Sequence, residues 1–359
     1  MANEPDVDVL IVGAGVSGIG TACHLTRECP TKTYAVVESR LDLGGTWDLI
    51  TYPGIRSDSD MHTFAYDFKP WVSDDSIADG SAIKAYVTET ALEYDVMRHI
   101  HFGRKVVGAS WDSATSMWTV EMDHLDGDGN STGETSTMTC RWLQMCSGYY
   151  SYTNPHRPDF TGEERFVGRI VHPQTWPDDL HGRDALDGRK IVIIGSWATA
   201  VKLFPSLIEQ GADVTMLQRS PTWIIPAPRK NRLATLLQKV LPEMWAYRTI
   251  REINSWRQVK LYETTRTKPE SVKAYINKQI LEVMGDDFEL EPHFAPSYNP
   301  WDERLCLSPD ADFFEALKTG RGHVVTDTIA TFDETGIELD SGEHLDADII
   351  VTATGLELL

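Results

Sequence analysis

The sequence predicts an α/β fold that contains two βαβ units, an antiparallel meander and a helical insertion. Two stretches carry this prediction, because each is an apolar run that breaks into a glycine turn and then resumes at helical spacing. In the first, Val7–Val12 leads into GAGVSG at 13–18, and in the second, 190–194 leads into GSWATA at 195–200. This order is typical of Rossmann-like nucleotide-binding units. The chain is therefore expected to contain two of them.

The first unit carries the complete pattern of a dinucleotide site. The glycines of its GxGxxG turn are Gly13, Gly15 and Gly18, with Ser17 before the last one. The strand TYAVVE then ends at Glu38, about 20 residues after the turn, where an acidic side chain would bind both ribose hydroxyls. Because the acid stands at this distance, the glycine turn is a specific signal, and the sequence predicts dinucleotide binding here.

The second unit departs from the pattern at one position. Gly195 and Ala200 are the first and last residues of a GxGxxA turn that also contains Ser196 and Thr199, but Trp197 replaces the middle glycine. That glycine normally lets the backbone approach a pyrophosphate. We therefore expect an impaired site, blocked or altered by the indole. The alternative is that the indole turns to solvent and the cofactor shifts slightly.

The strand that follows the second turn ends in Arg219 and Ser220 rather than in an acid. An arginine at this point can bind a 2′-phosphate, so the second unit is predicted to prefer NADP(H). The alternative is a surface arginine at a strand end. An acid in the first unit and an arginine in the second suggest FAD plus NADPH. The GGTW segment at 44–47 has no cysteine pair, which argues against dithiol chemistry and favours reaction of reduced flavin with oxygen.

Composition limits the classes of function. The chain has 359 residues, 41% of them hydrophobic, and a net charge of −21, which argues against a nucleic-acid partner. Its start, MANEPDVDVL, lacks the basic region of a signal peptide, and no apolar run reaches the roughly 18 residues of a membrane span. The five cysteines are scattered without a CxxC pair. We expect a cytoplasmic protein with reduced thiols, no metal site and no transmembrane segment.

The remaining segments have their own patterns. Residues 105–148 alternate apolar and polar side chains around GDGNSTGETS, which predicts an antiparallel meander. Residues 229–302 include a helical insertion with apolar spacing near 3.6, and its Trp245 and Trp256 are predicted to lie in the core rather than to contact substrate. The chain then returns to α/β character and ends with the strand DIIVTATG at 348–355 and four further residues.

Three longer patterns resemble one known family, the type I Baeyer–Villiger monooxygenases. FVGRIVHPQTWP at 166–177 matches its fingerprint FxGxxxHxxxWP, and 44–58 matches GGxWxxxxYPGxxxD. The run YNPWDERLC at 298–306 is similar to the region of its catalytic arginine. The resemblance is closest to the ethionamide-activating branch. The fingerprint residues, which the resemblance assigns to coupling between domains, are Phe166, Gly168, His172, Trp176 and Pro177.

The resemblance implies that NADPH reduces FAD and that one atom of O₂ is inserted beside a ketone carbonyl, giving an ester or lactone. Thioethers are expected to give sulfoxides. Arg304 would supply a permanent positive charge beside the anionic oxygen species, and Asp58 would hold that arginine. Glu303 departs from relatives with a basic residue there, which weakens the expectation for NADPH. Further cofactor-binding positions implied are Thr46, Trp47, Arg56, Ser57, Asp58 and Val106.

The expected domain organisation follows from these patterns. Residues 1–150 form the N-terminal part of the FAD domain, 151–185 a linker with the fingerprint, 186–228 and 303–350 the NADPH domain, and 229–302 the insertion. Residues 351–359 begin a return to the FAD domain that is apparently truncated. Two other functions stay open. One is a flavin-containing N- or S-oxygenating monooxygenase, and the other is a non-catalytic nucleotide-binding remnant.

Overall fold

A computed structural model describes residues 4–303 and 305–359. They form two compact units. The first unit comprises the chain up to Leu49, Gly80–Tyr150 and the last two residues. The second unit comprises Ile50–Asp79 and Ser151–Glu357. The segment at 50–79 therefore belongs to the unit that contains the second glycine turn, although in the sequence it follows the first glycine turn.

The first unit is built on one mixed sheet. Its strands are β1 (Val7–Val12), β2 (Tyr34–Val37), β3 (Ile100–His101), β4 (Arg104–Asp112), β5 (Met117–Leu125) and β6 (Ser131–Met145). They lie in the order β3-β2-β1-β6-β5-β4. β1 pairs in parallel with β2 and β6, whereas β5 lies between β4 and β6 and is antiparallel to both. The predicted meander is confirmed, and its last strand extends the parallel sheet.

Helices complete this unit, namely α1 (Val16–Glu28), α2 (Thr46–Leu49) and α4 (Gly80–Glu93), with a 3₁₀ turn at Met97–His99. Apolar side chains of several strands form a shared cluster, which includes Leu10, Val37, Val120 and Cys140. The apolar run of β1 is explained by this burial, because its inner residues are covered by both neighbouring strands and helices.

The second unit contains a five-stranded parallel sheet. Its strands are β8 (Arg169–Val171), β9 (Lys190–Ile194), β10 (Asp213–Gln218), β13 (Gly322–Thr326) and β17 (Ile349–Thr352), in the order β13-β10-β9-β17-β8. β9 leads through the second glycine turn into α6 (Ala198–Glu209), and α10 (Asp312–Lys318) packs beside α6. The predicted α/β fold with two Rossmann-like units is therefore confirmed.

Smaller elements surround this sheet. They are α3 (Met61–Phe64), β7 (Tyr150–Pro155), α5 (Arg183–Leu186), the parallel pair β11 (Trp223–Ala227) and β12 (Leu305–Pro309), the antiparallel β14 (Ile329–Phe332), β15 (Gly336–Leu339) and β16 (His344–Asp346), and β18 (Leu356–Leu358). Short 3₁₀ turns span Glu163–Arg165 and Pro173–Thr175.

The insertion is helical, as predicted, and consists of α7 (Arg232–Val240), α8 (Glu243–Thr267) and α9 (Pro269–Met284). The prediction that its tryptophans lie in the core is wrong, since Trp245 is 71% exposed and Trp256 is 66% exposed. The buried face of α8 instead carries Tyr247, Ile250 and Asn254. Trp245 stands two positions before Tyr247 and Trp256 two positions after Asn254, about 200° around the helix in each case, so each points away from that buried residue.

Across residues 4–303 and 305–359, no helix combines the length and apolar character that a bilayer crossing requires. In the same part of the chain, no group of three or more His, Cys, Asp or Glu side chains is arranged to hold a metal ion.

Candidate active site

The first glycine turn requires glycine for steric reasons. Gly13 has φ +105°, and a Cβ there would lie 2.5 Å from the carbonyl oxygen of Cys146. A Cβ on Gly18 would lie 1.8 Å from the carbonyl oxygen of Gly13. Gly15 is the N-cap of α1 and presents no side chain there, and Ser17 is exposed in the first helical turn. The N-terminus of α1 therefore has no side-chain cap, which suits a pyrophosphate.

Glu38 is buried immediately after β2, close to this turn. Its Oε2 accepts a hydrogen bond from Ala14 N at 2.7 Å, and its Oε1 accepts one from Arg40 N at 2.9 Å. Two backbone donors therefore fix the carboxylate beside the turn. The structure thus places the predicted ribose-binding acid next to the predicted pyrophosphate-binding glycines.

The other positions predicted for FAD in this unit occupy two places. Thr46 begins α2, and its Oγ1 lies 2.7 Å from the hydroxyl of Tyr150. Trp47 is half-buried in the same helix, and its backbone N–H donates to Gly44 O at 3.2 Å. Val106 is half-buried on β4 opposite Met122.

The second glycine turn has the same backbone form as the first. Gly195 has φ +126°, and a Cβ there would lie 2.5 Å from the carbonyl oxygen of Ala353. Ser196 donates through Oγ to Ser220 O at 3.1 Å, which ties the turn to the end of β10. Ala200 is fully buried and Thr199 is half-buried. Arg219 and Ser220 are exposed directly after β10.

Trp197 is the N-cap of α6 in extended backbone conformation, with φ −89° and ψ −173°. Its carbonyl accepts the first helical hydrogen bond from Val201 N at 3.0 Å. A non-glycine residue adopts this conformation without strain. The side chain is 46% exposed. The helix therefore begins as it would with glycine, and the indole remains as an added group beside the turn.

The segment at 50–79 carries Asp58 and is fixed to the second unit by Arg56. The guanidinium of Arg56 is buried, and its Nη1 donates to Asp312 Oδ2 at 2.5 Å. The other oxygen of Asp312 accepts from Ser308 Oγ at 2.8 Å. Ser57 is also buried; its backbone N–H donates to Ala78 O at 2.8 Å, and its Oγ accepts from Ala78 N at 3.1 Å. Among the residues that the structure describes, Arg56 Nη2 has no hydrogen-bond partner.

Asp58 contacts a residue that sequence reasoning missed. Its Oδ1 lies 2.5 Å from Nζ of Lys202, which is 8% exposed in α6. The same Nζ donates to Arg56 O at 2.7 Å. Burial lowers the pKa of Lys202, and the Asp58 carboxylate opposes that shift. The available signal was a lysine within the apolar run AVKLF after the glycine turn.

The predicted catalytic residue Arg304 lies outside the described residues, and so does its predicted contact with Asp58. Its neighbour Glu303 is exposed. The next residue, Leu305, begins β12, which pairs in parallel with β11. The Ser308 that contacts Asp312 belongs to β12. The network of Arg56, Asp312 and Ser308 therefore connects the Asp58 segment to the strand that follows Arg304.

The fingerprint segment packs with the second unit. Phe166 covers an apolar cluster of this unit, and a Cβ on Gly168 would lie 2.5 Å from Asp348 O. His172 is buried, and its Nδ1 accepts from Gln174 N at 3.1 Å. Burial lowers the pKa of His172 to about 4. Trp176, also buried, donates through Nε1 to Leu180 O at 2.9 Å, and the following Pro177 is half-buried.

Two sheets, one mixed and one parallel, each have a glycine turn between a parallel strand and a helix, and this pair of turns defines a protein class with two dinucleotide-binding units. The model of the flavin-binding monooxygenase-like family matches residues 7–283. The chain belongs to this family.

Relatives of known name agree with this assignment. The chain is 48% identical over 353 residues to the FAD-containing monooxygenase EthA of Mycobacterium tuberculosis, a match that covers 98% of this chain and 70% of that protein. It is 45% identical over 356 residues to the probable FAD-binding monooxygenase AlmA of Acinetobacter baylyi, covering 99% and 69%. The predicted resemblance to the ethionamide-activating branch is confirmed by the first of these.

Solved structures agree on the fold. A steroid monooxygenase bound to NADP superposes with a TM-score of 0.77 at 24% identity, covering 98% of this chain and 71% of that one. An open structure of cyclohexanone monooxygenase superposes with a TM-score of 0.74 at 20% identity, covering 98% and 74%.

Proposed function

We propose that the protein is an FAD- and NADPH-dependent monooxygenase of the Baeyer–Villiger type. In this function it inserts one atom of O₂ into ketones and also oxidises thioethers. The observation that carries the proposal is the presence, in one chain, of two glycine turns at the ends of parallel strands together with the complete FxGxxxHxxxWP segment at 166–177. The family membership supports flavin chemistry, and the fingerprint favours oxygen insertion over the chemistry of related monooxygenases.

The residues present fit the two cofactors. At the first turn, the Glu38 carboxylate and the open N-terminus of α1 provide partners for the ribose and pyrophosphate of FAD. At the second turn, Gly195 keeps the sharp backbone path, and the exposed Arg219 can bind the 2′-phosphate of NADPH. When bound and reduced, the flavin supplies the two electrons that activate O₂.

The chain's own contribution to the reaction is electrostatic. The oxygen species and the tetrahedral oxyanion that precede product are negatively charged, so a fixed cation beside them lowers the barrier. A guanidinium stays protonated at any working pH, which suits Arg304 to this role. Asp58 holds and orients that arginine in the proposal. The anchoring of Arg56 to Asp312 supports this role, because it keeps the Asp58 segment attached near β12.

A second candidate rests on one observation. Trp197 replaces the glycine at which the protein backbone normally approaches a pyrophosphate, so a non-catalytic nucleotide-binding remnant is the alternative function class. An N- or S-oxygenating monooxygenase without ketone activity is the third class. Flavin content, flavin reduction by NADPH and the products formed separate the three classes.

The test is to record the flavin absorbance of the purified protein, mix it anaerobically with NADPH, and then admit O₂ with a ketone or with a thioether. The proposal expects bleaching of the flavin absorbance, then formation of ester from the ketone and sulfoxide from the thioether. Sulfoxide without ester would indicate the N- or S-oxygenating class. Colourless protein, or flavin that NADPH does not bleach, would indicate the nucleotide-binding remnant.

A further inference from the structure

Lys202 has an environment that is unusual for a lysine. It lies within α6 with 8% of its surface exposed, and its chain neighbours Val201 and Leu203 are both buried. Removing an ammonium group from water is unfavourable unless it is paired and hydrogen-bonded. Here the pairing is supplied by Asp58 Oδ1 at 2.5 Å and by Arg56 O at 2.7 Å.

Within residues 4–303 and 305–359, Lys202 is the ion-pair partner that the structure gives the Asp58 carboxylate. The side chain of Asp58 is 67% exposed, whereas the two residues before it are buried. The backbone of the segment also packs directly on α6, because a Cβ on Gly54 would lie 2.6 Å from Lys202 O. The backbone position of Asp58 is therefore fixed by packing, while Lys202 Nζ is the described group that contacts its exposed carboxylate. A carboxylate that must orient another group loses effect when its own rotamer is free.

We propose that Lys202 is a positioning residue that holds the Asp58 carboxylate in the orientation required for oxygen insertion. Lys202 lies in α6, the helix that begins at the second glycine turn, and its Nζ contacts both the Asp58 carboxylate and the Arg56 carbonyl oxygen. This inference rests on the proposed function, because it assigns Lys202 a role only through Asp58. In this role Lys202 does not need to contact substrate, cofactor or O₂.

The test is a double-mutant cycle on Lys202→Met and Asp58→Asn, with ester formation at saturating ketone and NADPH as the readout. Methionine has a similar length and suits a buried helix position, so the fold should tolerate it. We expect K202M to lower kcat by about tenfold or more, with KM for NADPH and FAD content near the parent values. In the D58N background, K202M should cause almost no further loss, because the carboxylate it positions is gone.

The matched control is Lys190→Met. Lys190 also pairs with an aspartate of the second unit, Asp346 at 2.8 Å, but both side chains are exposed. K190M should leave kcat unchanged within about twofold, since exposed ion pairs contribute little.

Two outcomes contradict the inference, and a third contradicts the proposed role of Asp58 instead. If K202M has the parent's kcat, or if the losses in K202M and D58N multiply, Lys202 does not act through Asp58. If D58N itself has the parent's kcat, the proposed role of Asp58 is wrong. Should K202M fail to fold, Lys202→Arg and Lys202→Gln decide the question. The inference expects K202R to retain clearly more activity than K202Q, and equal losses in the two variants contradict it.

Discussion

Arg56 and Asp312 are 256 positions apart in the sequence and form an ion pair between a buried guanidinium and a partly exposed carboxylate, with Nη1 2.5 Å from Oδ2. Asp312 also accepts hydrogen bonds from Ser308 Oγ and from the N–H of Phe313. The pair therefore fixes the Asp58 segment to the start of α10. This arrangement leads to the first prediction.

Replacing Asp312 with Asn should destabilise the protein, because it leaves the buried Arg56 charge without its counter-ion. Breaking a buried pair costs about 3–5 kcal/mol, and the partial exposure of Asp312 places the expected loss of unfolding free energy near or below about 3 kcal/mol. Urea unfolding measures it. The control is Glu315→Gln, which removes an exposed pair with Lys318 on the same helix and should cost about 0.5 kcal/mol or less. Equal urea midpoints for the two variants would show that the Arg56–Asp312 pair does not stabilise the protein in this way.

Arg304→Ala should leave FAD bound and abolish most oxygenated product. Removing one stabiliser of a developing anion costs on the order of 10² to 10³ in rate. The measurement is ester formation per bound flavin. Arg266→Ala serves as the control. Arg266 is an exposed arginine that pairs with Asp302, and Asp302 stands two positions before Arg304 in the sequence. Product formation by R304A within a few-fold of the parent would exclude Arg304 from the mechanism.

Arg219→Ala should erase most of the preference for NADPH over NADH. A charge-assisted hydrogen bond to the 2′-phosphate contributes about 1.5–3 kcal/mol, which is roughly a tenfold to hundredfold preference. Steady-state kinetics with both nucleotides measure this ratio. Arg189→Ala is the matched control, because Arg189 is exposed just before β9, at the opposite end of the strands. If the parent uses both nucleotides equally, Glu303 or Trp197 has already removed the preference.

Trp197→Gly should tighten NADPH binding and leave FAD content unchanged. The α6 N-terminus keeps its usual form, and the indole adds a large group beside it, where the pyrophosphate is expected. Two lost hydrogen bonds to a charged group correspond to about a hundredfold in Kd. NADPH titration of both proteins measures the change, and Trp197→Ala separates the indole from the Cβ. Identical dissociation constants would mean that the indole lies clear of the nucleotide.

His172 should make the folding stability depend on pH. Its pKa is about 4 in the folded protein because burial disfavours the imidazolium, against 6.5 for an ordinary histidine. As the pH falls from 6.5 towards 4, the unfolded chain binds a proton that the native state does not, so stability is lost over this interval. The loss is at most about 3 kcal/mol, and solvent that reaches the ring reduces it. His172→Gln should flatten this part of the profile, and an unchanged profile would contradict the assignment.

Local patterns were enough to predict the framework of the fold. The strand bounds of Lys190–Ile194 and the positive φ of Gly13 and Gly195 follow from runs of a few residues, because steric and packing requirements there are local. The exposed positions of Trp245 and Trp256 could not be predicted from apolar spacing near 3.6, because that spacing does not show which face of α8 packs against the rest of the unit.

Contacts between distant segments could not be predicted in this way. The pairing of Lys202 with Asp58 depends on how α6 packs against the segment at 50–79, and no local pattern encodes that geometry. Arg56 was predicted from family resemblance to contact a cofactor, and its ion pair with Asp312 was not foreseen for the same reason. Contacts of this kind are fixed by the tertiary fold.

The most direct test of the central claim is the reaction of the NADPH-reduced protein with ¹⁸O₂ and a ketone, followed by mass spectrometry of the product. The account predicts an ester or lactone that contains one ¹⁸O atom, located between the carbonyl carbon and the migrated carbon. No labelled product should form without NADPH. Oxidation of NADPH with hydrogen peroxide as the sole oxygen product, or an ester whose new oxygen comes from water, would contradict the account.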